Sequence, residues 1–266
     1  MIETGHTSVI KSTLAAAAFG EQPGAWPLPA AGTRQQLWWR AVAAGGQGRY
    51  GSAYHDLAEL RRTGGRWKSL AHSTHGSFLR QLGWHELARG WDGRALALAG
   101  VDAEARADAL IGLAADALGV GRFAAAATLL GRVDLRAVPD RLPVRRGWVA
   151  AELAMASGDG ASAVRHAEEA VRLAEAMVVS SVRHRVKSDV VLAAALCSAG
   201  RVERARAVAE AALDATGRSN LIPLRWALAC LLIDIESVTF STQKLREIRD
   251  ICAGQVRRAG GAWRSA

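Results

Sequence analysis

Long uncharged apolar runs are missing from this chain of 266 residues. Its most apolar stretch, Leu221 to Ile235, is broken by Arg225 and Asp234, whereas a membrane-spanning helix needs about 20 apolar residues in succession. No membrane span is expected. The start of the chain also reads poorly as a secretory leader: Glu3 is acidic, Lys11 is its only early base, and LAAAAFG is short for an apolar leader core. Cysteine is scarce. Cys197, Cys230 and Cys252 stand far apart without CxxC spacing, which excludes a zinc finger or ribbon and suggests buried free thiols in a reducing, cytoplasmic setting. There is no GxSxG, no P-loop, and no cysteine with a nearby histidine, so no motif speaks for an enzyme. Lysine is limited to positions 11, 68, 187 and 244, and arginine supplies the other bases. With the excess of Ala and Gly, this is the composition of a GC-rich bacterial genome. The net charge of +9 is spread evenly, with 14 basic and 10 acidic residues in 1–133 and 20 and 15 in 134–266. No basic tail of the kind that binds nucleic acid stands out.

What is present is helical periodicity, from Thr33 onward, punctuated by glycine. The stretch Ala109 to Leu130 reads as two short helices hinged at Gly121. Small Ala114 and Ala126 stand where the two would touch, and Leu110, Leu113, Phe123 and Leu130 fill the space beside them. Such a hairpin cannot bury its apolar faces alone. Aligned on the hinge, the chain supplies copies at Gly48, Gly83, Gly158 and Gly200, with successive spacings of 35, 38, 37 and 42. Other positions come into register. Five residues after each glycine stand Ala53, Ala88, Ala126, Ala163 and Ala205; seven before stand Ala41, Gly76, Ala114, Ala151 and Ala193. Only Ala or Gly fits where two antiparallel helices approach closely. Residues 1–32 precede the array as a short helix from Ser8 to Phe19 and an irregular linker containing Pro23, Pro27 and Pro29. Trp26 is the residue expected to pin that linker to the first copy.

This pattern resembles the tetratricopeptide repeat (TPR): a small residue in helix A, glycine then an aromatic at the turn, and alanine in helix B, at a period of about 34 residues. The resemblance covers roughly residues 34–217. It is degenerate. Asp92, Ala167 and Ala209 stand where helix B would carry an aromatic, and the closing proline is mostly replaced by Gly65, Gly100 and Gly217, with Pro139 nearby in the third copy. Leu221 to Glu236 and Ser241 to Val256 read as a sixth, capping pair. The expected fold is therefore all-α: a TPR-like α-solenoid, a right-handed superhelix of about five degenerate repeats plus the C-terminal pair, over residues 33–258. Residues 259–266 are expected to fray.

Gly46 to Gly51 matches GxGxxG, but a helix precedes it where a dinucleotide site needs a strand, so it reads as the first repeat's turn. His72, His75 and His85 would make a metal site, and hence a metal-dependent enzyme, only if the next helix gathered them. No cofactor is expected. The resemblance implies that helix A lines a concave groove. Its exposed positions are then Trp38, Arg80, Ile111, Leu118, Arg145, Trp148, Glu152 and Lys187, with Arg183 beside them and Arg225 and Trp226 continuing the row. An apolar floor with Trp anchors and cations suits a protein or peptide segment carrying apolar side chains and carboxylates, that is, a regulatory adaptor. The alternative is a nucleic-acid-binding protein using the Arg-rich rows, and the bland reading makes the Trp residues inter-repeat core. A clamp for a C-terminal carboxylate of the TPR kind needs several Asn, and Asn220 stands alone.

Overall fold

The structure is a computed structural model describing residues 2–264, with side chains from residue 8 onward. Thirteen helices make up its regular structure, with no strand among the described residues. After α1 (Ile2–Phe19) they fall into six antiparallel pairs: α2 (Arg34–Gly46) with α3 (Tyr50–Arg61), α4 (Gly65–Gln81) with α5 (His85–Leu98), α6 (Ala103–Gly119) with α7 (Phe123–Gly131), α8 (Arg141–Ala156) with α9 (Gly160–Glu175), α10 (Val182–Ser198) with α11 (Val202–Arg218), and α12 (Ile222–Asp234) with α13 (Thr242–Arg258). Each helix packs on the next, and the first helix of each pair also packs on the first helix of the following pair. This is a helical-repeat solenoid. No described helix is long and apolar enough to cross a membrane.

The register of small residues explains the pairing. Nine of the ten small positions are alanines with no exposed surface. The tenth, Gly76, is also buried. The turns repeat as well. Gly48, Gly83, Gly121, Gly158 and Gly200 all have positive φ, at 76, 91, 76, 76 and 74°. In each turn the amide after the glycine closes back onto a carbonyl five residues earlier, as Arg122 does to Ala117 at 2.8 Å. That is the helix C-terminal motif that favours a residue without a side chain. The sixth pair makes the same bond, from Ser237 to Leu232, with Glu236 held at φ 56°.

Three features depart from the expectation. The N-terminal header belongs to the body. Leu14, Ala17 and Ala18 of α1 are buried, and Phe19 packs 5.2 Å from the Trp38 ring and 6.1 Å from His184 of α10. The linker is fixed by the Gln47 amide, which donates to the carbonyls of Pro23 and Ala25. Trp26 does meet the first repeat, under the Arg49 guanidinium at 4.0 Å.

Second, residues 259–264 are hydrogen-bonded to the body. The Gly51 amide donates to Ala259 at 2.7 Å, the Arg264 amide to Leu82 at 2.9 Å, and the Trp84 indole to Ala262 at 2.7 Å. Third, these bonds close the array on itself. Val256 of α13 shares a core with Tyr50, Leu57 and Phe78 of the first two pairs. Gly48 lies so close that a Cβ there would sit 3.1 Å from Val256. Of the three cysteines, all free, Cys252 is buried, while Cys197 and Cys230 are only half-buried.

Candidate functional site

The first helices of the pairs turn one face inward, around a cavity of about 420 Å³. Residues three and four apart share a helix face, so the spacing of Arg141, Arg145, Trp148 and Glu152 brings all four to it from α8. Asp108, Ile111, Ala115 and Leu118 do the same from α6, and Arg183, Lys187 and Val190 from α10. Of the positions singled out in the sequence, Trp38, Arg80, Ile111, Leu118, Arg145, Trp148, Glu152, Arg183, Lys187 and Trp226 all line this cavity. Arg225 does not. Its Nη1 donates to the Leu213 carbonyl at 2.8 Å, and the guanidinium lies against Gly217 on the last turns of α11. Because α1, α13 and the C-terminal residues bring the two ends of the array together, the expected groove is a deep cavity that stays partly open to solvent.

The three Trp side chains serve both purposes weighed in the sequence. Trp38 is only 5 % exposed, and its indole donates to Thr74 of α4 at 2.9 Å. Trp148 donates to Ser188 of α10 at 2.8 Å. Each bond ties one repeat to the next. Trp226 stacks on Trp263 with ring centres 4.2 Å apart, which brings the C-terminal residues to the cavity rim. All three still present ring surface to the cavity.

The cavity cations are mostly neutralised from within. Arg80 is held between Asp92 of α5 and Asp116 of α6. Arg141 bonds Glu104 at 2.8 Å and Asp108 at 3.0 Å, and Arg145 shares Asp108. Lys187 lies 3.6 Å from Glu152. Arg183 is different: no carboxylate of the described residues pairs with it. Burial, with repulsion from Arg141, lowers its guanidinium to about 10. Burial likewise lowers Arg145 to about 9. His184 is buried between Trp148 and Ser181, and burial together with Arg183, Arg141 and Arg145 pushes its imidazole well below the usual range. The imidazole is therefore neutral, and this wall of the cavity is positive.

Sequence reasoning missed the carboxylate beneath Arg80. Asp92 stands where the repeat pattern puts an aromatic, and its side chain runs between α4 and α6 through a slot made by two glycines. A Cβ at Gly76 would lie 2.6 Å from Asp92 Oδ2, and one at Gly112 would lie 2.5 Å from Oδ1. Burial raises the pKa of Asp92, Arg80 opposes the rise, and Asp116 adds to it; Asp116 is raised mainly by burial too. One cation between two buried carboxylates leaves the protonated form of Asp92 favoured over its usual balance. The available signal was the coincidence of Gly76, Asp92 and Gly112 around Arg80.

The histidines are not gathered. His75 stacks on Trp91 at 3.8 Å, and His72 packs beside the same ring. His85 instead lines the cavity against Gly119. No group of three or more potential metal ligands occurs among the described residues. No family model and no curated protein matches the chain.

Proposed function

We propose that this protein is a binding module, a TPR-like adaptor whose central cavity receives an acidic, partly apolar segment of a protein or peptide partner. The observation that carries this reading is the convergence of ten predicted contact residues on one cavity with aliphatic and Trp surface and one positive wall. Trp and Arg in a desolvated setting are the residue types that dominate binding energy. The size of the cavity favours a second reading beside it. A volume of about 420 Å³ lies within the range of small-ligand pockets, so the bound group is short: the end of a chain or a small amphipathic anion. The nucleic-acid reading draws less support, because Arg80, Arg141 and Arg145 are already engaged by carboxylates.

The test is selection of a random peptide library on the wild type and on Ala115→Phe, whose ring fills the cavity from α6. Enriched peptides carrying carboxylates and apolar residues, lost on Ala115→Phe, are the expected result. Equal binding to a folded Ala115→Phe variant would place recognition elsewhere, and no enrichment would remove the peptide reading.

A further inference from the structure

The positive wall has one charge more than its carboxylates balance. Arg141 and Arg145 pair with Asp108 and Glu104, Glu104 is shared with Arg66, and Arg183 lines the same wall with no carboxylate of its own among the described residues. Arg141 opens α8 and Arg183 is the second residue of α10, at helix ends where the dipole disfavours a cation and favours an anion. A desolvated cation left unpaired is costly. The surroundings nonetheless hold Arg183 in place. Nη1 donates to the Val42 carbonyl at 3.1 Å, and the guanidinium lies 5.5 Å from the centre of the Phe19 ring. Gly46 leaves the space: a Cβ there would lie 3.3 Å from Cδ and Nη1. A guanidinium has five N–H donors. Those not used on Val42 have no protein acceptor among the described residues, and they are not sealed off from the cavity.

Building on the binding reading above, we infer that Arg183 is the carboxylate-binding residue of the cavity, and that the ligand is an amphipathic monocarboxylate whose apolar body lies against Leu118, Val190 and Trp226. Charge count selects this chemistry. A phosphate or a nucleic-acid backbone calls for several free cations, and here Arg80, Arg141 and Arg145 are already paired. One unpaired fork matches one carboxylate, which it binds with two parallel hydrogen bonds. The apolar wall supplies the rest.

Isothermal titration of the full chain tests this with two probes, decanoate and acetyl-Leu-Leu-Leu with a free C-terminus, each against its neutral amide. The acids are expected to bind the wild type more tightly than the amides and to weaken by ~10- to 100-fold on Arg183→Met. The amides should bind Arg183→Met and wild type alike. Arg183→Lys, which keeps the charge and loses the fork, should weaken the acids less than Arg183→Met does, and it carries the test if the Met variant fails to fold. Binding by decanoate alone identifies a small-molecule ligand, and binding by the tripeptide acid identifies a chain terminus. Acids that bind the wild type no better than their amides overturn the inference. Acids that bind Arg183→Met as well as wild type also overturn it, while the library selection on Ala115→Phe still decides whether the cavity binds a partner at all.

Discussion

At the scale of single residues, one departure from the repeat pattern buries a charge. Asp92 replaces an aromatic and is accommodated because Gly76 and Gly112 leave its carboxylate a slot. Gly112→Ala forces a methyl into that slot, and overpacking of this kind costs ~1–3 kcal/mol, to be read from the urea midpoint. The raised pKa of Asp92 has a pH consequence. The folded state retains a proton that the unfolded chain gives up, so this group's contribution to stability falls as pH rises above the ordinary carboxylate range. Asp92→Asn removes that loss. The variant should therefore gain stability relative to wild type between pH 5 and pH 8, and a difference in urea midpoint that stays constant over that range would refute the protonated cluster. None of this was legible residue by residue. Sequence alone shows an aspartate out of pattern, but a buried partner such as Arg80 is visible only once α4, α5 and α6 are packed.

Among the elements, the turns were the most legible feature because they depend on local backbone chemistry. Five glycines at positive φ mark five turns, and small residues at fixed offsets mark the close approaches. Gly121→Ala should cost ~1–2 kcal/mol, since the left-handed conformation strains any residue with a Cβ, and no methyl could relieve it by packing, because nothing lies near that position. Ala126→Leu should cost ~1–3 kcal/mol by overpacking the α6–α7 contact. An unchanged melting temperature for Ala126→Leu would contradict the register. The sixth turn escaped the glycine alignment because Glu236 occupies its left-handed position at φ 56°. Glu236→Gly should accordingly leave the melting temperature unchanged or raise it. One filler was misplaced. Phe123 matched the bulky turn position, but α7 is short and the ring is 39 % exposed. The hairpin from Ala109 to Leu130 also carries Asp116, one of the buried partners of Arg80.

For the whole molecule, repeat order and inward face were readable, but closure was not. Local periodicity predicts how each pair meets the next. It carries nothing about a bond such as Trp84 to Ala262, between residues 178 positions apart. Closure narrows the groove to a cavity that stays partly open. It also explains why α1 and residues 259–264 are ordered parts of the body: they complete the contact between the first pairs and the last. Native-state hydrogen exchange at the Gly51 and Arg264 amides, which donate across that junction to Ala259 and Leu82, measures this closure most directly. Protection of both amides well above that of exposed turn amides is the predicted result. Exchange of both at the rate of an open chain end would mean that the array stands open and that the cavity, with the ligand size argued from it, does not exist in solution.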